Sequence, residues 1–222
     1  MIDVRNPLQT LADEASPWLR ASRSTCMVNH LRVHLIGKQG WHMCDHMFVV
    51  TGGPGSGKST LIDALRDRGF ASMPEAGRAI IQDQVKIGGT ALPWADKGTF
   101  AELMLGWELR SWHEASAFER PVFMDRGIPD VVGYLTLCGL HVPAHAEVAA
   151  KTYRYNRMVF IAPYWEAIFG QDAERKQDQE EAKATGRVMA DTYARFGYHL
   201  VELPKVSVDE RVAFVMDHLK AE

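Results

Sequence analysis

From Met47 onward the chain alternates short apolar runs with longer stretches in which apolar residues recur every three or four positions. That pattern predicts βα units building a mostly parallel sheet. Residues 47–51 read as a first strand, buried on both faces, followed by a glycine-rich loop and a helix over about 58–68 that ends near Gly69. Residues 70–73 predict a second strand, and 75–86 a helix closed by Gly88 and Gly89. A long amphipathic helix over about 100–118 leads to a third strand, 122–124, that ends at Asp125. Helices over 130–138 and 144–155 precede a fourth strand at 158–162. A polar segment around 170–177 comes next, then a helix over 179–196 and a fifth strand at 199–203. Ser207, with Glu210 three residues on, caps a final helix whose Val208, Val212, Val215, Met216 and Leu219 share one face.

Residues 1–46 carry no such period. Pro7, Pro17, Gly37 and Gly40 interrupt them, so they read as a poorly ordered extension, with residues 47–222 forming the domain. Met43 and Met47 stand just before the first strand, and a later translation start is expected. A mature N-terminus at Met1 would refute it. Cys26, His30 and His34 share a helical spacing and His42, Cys44 and His46 alternate, but these spacings match no zinc finger or ribbon and read as incidental.

Composition narrows the functional classes. With 222 residues, 46% hydrophobic and 24% charged, the chain suits one globular domain. A net charge of −3 gives no basic surface for a nucleic acid duplex, so nucleic acid is not an expected partner. Three cysteines without a CxxC pair fit a reducing compartment, and with neither a signal peptide nor an apolar run of about 20 residues the expected location is the cytoplasm.

The glycine-rich loop supplies the first candidate chemistry. Gly52, Gly53, Pro54, Gly55, Ser56, Gly57, Lys58, Ser59 and Thr60 form a phosphate-binding P-loop between a predicted strand and a predicted helix. Chance would place such a motif in roughly one chain in a hundred of this length. Glycines let backbone N–H groups turn toward phosphate oxygens, and the following helix adds its positive end. Lys58 is expected to reach the β and γ phosphates of ATP, and Ser59 to ligate Mg2+. GTP is the alternative nucleotide, although no NKxD guanine motif is found. Asp125, at the end of the third strand, is the second candidate magnesium ligand. Arg126 occupies the next position, where hydrolysing motors of the AAA type carry glutamate, and suits charge stabilisation better than water activation. Glu75, after the second strand, reaches the same carboxyl edge of the sheet, and Arg175 and Lys176 lie in a segment placed to act as a lid. Trp94, Trp107, Trp112 and Trp165 fit either a pocket wall or the core, and His113, His141 and His145 have no partner pattern.

The runs FVVTGGPGSGKSTLIDALRDRGF, PEAGRAIIQDQ, LPW, DRGIPDVVGYL, VFIAPYWEAIF, ERKQ and GYHLVELP, in that order, resemble the predicted bacterial ATPases grouped with the AAA-like P-loop domain in the ribosylnicotinamide kinase part of NadR. The resemblance runs from Met47 to the C-terminus. It implies the P-loop kinase fold, an α/β three-layer sandwich with a five-stranded parallel sheet and a lid after the fourth strand. By similarity, Glu75 matches the acidic residue that serves nucleoside kinases as a base, and Arg126 the arginine of their D/E-R motif. The lid departs from the kinase pattern in offering only Arg175 and Lys176 rather than several arginines.

The leading expectation is an ATP-dependent phosphotransferase acting on a small hydroxylated, nucleoside-like acceptor. Lys58, Ser59 and Asp125 would position the nucleotide, Glu75 would accept the hydroxyl proton, and Arg126 with Arg175 would neutralise transferred charge. The rival is a nucleotide-dependent switch without a small-molecule acceptor.

Overall fold

The computed structural model describes residues 44–169 and 178–220. The extension as far as residue 43 lies outside them, as does the expected lid with Arg175 and Lys176. Five strands, β1 (Met47–Gly52), β2 (Ala71–Met73), β3 (Val122–Asp125), β4 (Met158–Ala162) and β5 (His199–Glu202), form one sheet in the order β2-β3-β1-β4-β5. Every neighbouring pair is parallel. The helices are α1 (Lys58–Asp67), α2 (Ala76–Ile87), α3 (Lys97–Ala115), α4 (Ile128–Leu137), α5 (Ala144–Thr152), α6 (Gln179–Arg195) and α7 (Val208–Lys220).

Alternation along the strands divides the core in two. Met47, Val49, Val122, Met124 and Val159 face a cluster with α3, α4 and α5 that includes Leu105, Val132 and Ala150. Phe48, Val50, Phe123 and Phe160 face the opposite cluster, where Leu61 and Leu65 of α1 meet Val212 and Val215 of α7. The three central strands, β3, β1 and β4, are buried on both faces because both are covered, which is why they read as nearly continuous apolar runs.

The register places the site. Val50 pairs with Asp125, and Met73 with Met124, so the chain leaves β1, β2 and β3 at nearly one level. The loop after β1, Glu75 after β2, and Asp125 with Arg126 at the end of β3 therefore share the carboxyl edge.

Helix ends differ from the periodicity in α3, α4 and α5, and α3 ends at Ala115 rather than near residue 118. α3 begins at Lys97 rather than near residue 100 because the Asp96 side chain accepts the Thr99 backbone N–H at 2.9 Å. α4 begins at Ile128, two residues before Asp130, since Asp130 is the capping carboxylate that accepts the Gly127 N–H at 3.0 Å. α5 stops at Thr152, and Tyr155 turns fully into the core. The last helix starts as expected, with reciprocal bonds between Ser207 and Glu210. Just before β1, the His46 carbonyl accepts the Val122 N–H at 2.8 Å and the Asp45 carbonyl accepts Asn156 Nδ2 at 2.6 Å. Among the described residues, no helix is long and apolar enough to cross a membrane.

Candidate functional site

The loop between β1 and α1 is shaped by glycine. Gly52 holds φ +134°, and a Cβ there would sit 2.3 Å from the Ala162 carbonyl oxygen. Gly57, at φ +81°, is the residue from which α1 springs. Both conformations strain any L side chain, which is the physical reason for glycine at these two positions. Lys58 is the first residue of α1 and is only 4% exposed. Its ammonium donates to the Gly53 carbonyl at 2.6 Å and to Ser56 Oγ at 3.4 Å, folding back over the loop. Thr60 is exposed in the first turn of α1.

Ser59 and Asp125 meet, with Ser59 Oγ donating to Asp125 Oδ2 at 3.2 Å. The other carboxylate oxygen, Oδ1, is buried with no hydrogen-bond partner among the described residues. Burial pushes the Asp125 carboxyl above its ordinary range, and the Glu75 charge adds to that. Lys58, Arg126 and the Ser59 hydroxyl pull it back. A hydroxyl beside a carboxylate oxygen in need of a partner is a hard-oxygen donor set, and it fits Mg2+.

Arg126 is the only non-glycine residue at positive φ among the described residues, at 75°. Such a conformation costs about 1–3 kcal/mol. Its side chain supplies the compensation: Nε donates to Glu75 Oε1 at 3.0 Å, and Nη1 donates to the Gly52 carbonyl and to Asp130 Oδ1, both at 3.1 Å. Hydrogen bonds to charged groups contribute about 1.5–3 kcal/mol each, so the bonds outweigh the strain. Burial works against the guanidinium charge, but Glu75, Asp130 and Asp125 outweigh it and hold its pKa above the ordinary value. Arg126 thereby ties the ends of β1, β2 and β3 together.

Asp130, Glu108 and Arg211 belong to this site although the motifs did not single them out. Asp130 accepts from Thr51 Oγ1 at 2.5 Å, Tyr193 hydroxyl at 2.7 Å, Gly127 N–H and Arg126. Arg211, from α7, is 2% exposed and braces the loop from behind, donating from Nη1 to the Ser56 carbonyl at 2.9 Å and stacking over Trp165. Glu108 is 4% exposed.

A cavity of about 1030 Å³ opens beside the loop, lined by Pro54, Glu75, Glu108, Arg126 and Asp130 and by apolar residues of α2 and α3. Trp94 stands at it and is 62% exposed, whereas Trp107 packs against Ile80 and Phe100. Trp112 donates to the Arg154 carbonyl at 2.8 Å, so it is structural. His145 pairs with Glu102 on the surface. No group of three or more His, Cys, Asp or Glu side chains suited to a metal occurs among the described residues.

Five of the expected site residues, Lys58, Ser59, Glu75, Asp125 and Arg126, thus converge on one edge of the sheet. Arg175 lies outside the described residues. A family model described as an AAA domain matches residues 47–211. The chain belongs to this AAA-domain family. Solved structures place the AAA domain's fold among P-loop kinases. Deoxyadenosine kinase from M. mycoides superposes with a TM-score of 0.59 at 13% identity, covering 79% of this chain and 100% of the kinase. Thymidylate kinase from Candida albicans gives 0.59 at 11% identity, covering 79% and 91%. NadR in complex with NR gives 0.58 at 16% identity, and there the likeness spans 79% of this chain and 50% of NadR. No curated protein matches the chain.

The titration of Glu108 yields a stability prediction. Burial, then the charge of Asp130, with lesser contributions from Asp125 and Glu75, pushes its carboxyl well above 4.5 against the pull of Arg126. A carboxyl raised in the folded state contributes stability that is full below the unfolded value and lost as pH rises through the folded value. Glu108→Gln removes that loss. The melting temperature of the wild type is expected to fall relative to Glu108→Gln as pH rises from about 4.5, which thermal melts across pH would measure. A difference independent of pH would contradict a raised Glu108.

Proposed function

We propose that this AAA domain is an ATP-dependent phosphotransferase acting on a small hydroxylated acceptor of nucleoside-like size. The observation that carries the reading is the cavity of about 1030 Å³ with Glu75 and Arg126 on its wall and the glycine-rich loop at its edge. A nucleotide switch needs no such chamber, whereas acceptor sites for small molecules reach this volume.

Each residue has a task in the proposed reaction. The loop's backbone N–H groups and Lys58 hold the β and γ phosphates of ATP. Ser59 and Asp125 would hold Mg2+, which when bound neutralises phosphate charge. Glu75 takes the proton from the acceptor hydroxyl as its oxygen bonds to the γ phosphorus, and the bond to the β-phosphate oxygen breaks to leave ADP. Arg126 fixes the Glu75 carboxylate through the 3.0 Å bond, so the base is oriented before the acceptor arrives. Catalysis of this kind is mainly positioning and electrostatics.

Incubating the protein with MgATP and a panel of hydroxylated metabolites, and scoring ATP consumption for each, tests the reading. Consumption that depends on one acceptor supports it, while tight nucleotide binding with no acceptor would favour the switch. Asp125→Asn should lower magnesium-dependent ATP affinity and turnover together, by about tenfold or more, because the cation needs the carboxylate charge. ATP affinity measured with and without Mg2+ checks this, and an unchanged magnesium dependence would remove Asp125 from the metal site.

A further inference from the structure

The cavity wall carries a carboxyl that the proposed transfer reaction does not use. Glu108 lies mid-way along α3 on its buried face, in line with Phe100, Leu105, Ser111 and Ala115. It lines the cavity, yet its polar neighbours are engaged elsewhere. Asp130 accepts from Thr51, Tyr193, Gly127 and Arg126, while Arg126 Nε and Nη1 serve Glu75, Gly52 and Asp130. The Tyr155 hydroxyl, on which the charge of Glu108 bears, accepts the Ile128 N–H at 3.1 Å.

Much of the rest of the wall is apolar, with Arg78, Lys97, Glu181 and Thr185 among its polar members. Phe100, Met104, Ile81, Val85 and Trp94 line the same cavity as Glu108. Val85 and Trp94 are 60% and 62% exposed, so the cavity reaches the surface beside them. Apolar walls with a few convergent polar groups are the pattern of a small-molecule site, in which the polar groups set orientation.

Building on the phosphotransferase reading, we propose that Glu108 is the specificity residue of the acceptor site, its carboxyl donating one hydrogen bond to, and accepting one from, the edge of a heteroaromatic ring. A carboxylic acid presents an O–H donor and a carbonyl acceptor side by side, which matches a ring nitrogen adjoining an exocyclic amino group or carbonyl. Burial and the Asp130 charge favour the protonated form that this pairing needs. With the ring at Glu108 and the apolar wall, the hydroxyl of an attached sugar falls to Glu75. An acceptor without the ring edge would leave Glu108 buried and unpaired, which is the strongest form of discrimination that a polar site exerts.

Titration calorimetry on the full chain tests this, with adenosine, inosine, cytidine and uridine as probes, D-ribose as the ringless control, and MgATP affinity as the check that each variant is folded. Glu108→Gln keeps both a donor and an acceptor, so the wild type and Glu108→Gln should bind at least one nucleoside with affinities within about threefold of each other. Glu108→Ala should bind it at least about tenfold more weakly, with D-ribose binding unaltered. Equal nucleoside affinity in Glu108→Ala and the wild type would overturn the proposal. So would a loss in Glu108→Gln as large as in Glu108→Ala, which would mark an ionised carboxylate reading a cationic acceptor. Failure of the wild type to bind any of the four nucleosides would overturn the ring class. Phosphoryl transfer is scored separately. ATP-dependent phosphorylation of a ringless acceptor would leave the transferase reading standing while Glu108 lost its role, and nucleoside binding without transfer would do the reverse.

Discussion

Lys58→Ala is expected to weaken MgATP binding by about 30-fold or more and to abolish turnover, while the melting temperature changes little. Lys58 is buried at the start of α1 with its ammonium over the loop, 2.6 Å from the Gly53 carbonyl. Removing one partner of a buried, hydrogen-bonded charge pair costs about 2–5 kcal/mol, and 2 kcal/mol already corresponds to about 30-fold. The loss to the fold is smaller, because the hydrogen bonds of a charged donor contribute about 1.5–3 kcal/mol and the variant is at the same time relieved of burying the ammonium. Nucleotide titration alongside a thermal melt checks both statements. A variant that binds MgATP like the wild type would remove the loop from nucleotide binding.

Glu75→Gln is expected to cut acceptor-dependent transfer by about 10²-fold or more while the affinity for ATP stays close to the wild-type value. The amide keeps the size of the side chain and can still accept the Arg126 Nε hydrogen bond, so the geometry of the site is retained. What it loses is basicity, and general base catalysis is worth about 10²–10⁴-fold. A fall in kcat with Kd for ATP unchanged is the signature of an interaction used in the transition state alone. Arg126→Lys should follow the same pattern, since lysine keeps the charge but cannot bond Glu75, Gly52 and Asp130 with one planar fork. Its melting temperature should also drop, because the left-handed backbone at Arg126 would then lack the bonds that offset its strain.

The central strands β1, β3 and β4 were legible because they are buried on both faces. The helix starts were less so. Asp96 caps α3 through Thr99, but Gly98 lies between them and breaks the apolar period that would announce a helix. Asp130 reads as an ordinary first-turn residue, and only the fold shows that it gathers Thr51, Tyr193 and Arg126 from three separate elements. The glycine-rich loop, Asp125, Glu75 and Arg126 could be placed because strand ends share an edge in parallel sheets, which is a rule of topology. Glu108 left a subtler trace. A glutamate stands on the apolar face of α3 between Leu105 and Ala115, where an apolar residue belongs. Arg211, beside Val212 on the buried face of α7, leaves the same mark. A charged residue on a buried stripe is therefore a signal in the sequence that points to α3 and α7 as contributors to the site.

The most direct measurement of the central claim follows radiolabelled γ-phosphate from MgATP through multiple turnovers in the presence of a panel of hydroxylated acceptors. If the AAA domain is a phosphotransferase, the label appears on one acceptor in amounts exceeding the protein, and the transfer is lost in Lys58→Ala and reduced about 10²-fold in Glu75→Gln. Label released only as inorganic phosphate, at a rate that no acceptor changes and that Glu75→Gln leaves intact, would contradict the account and make the protein a nucleotide-hydrolysing switch.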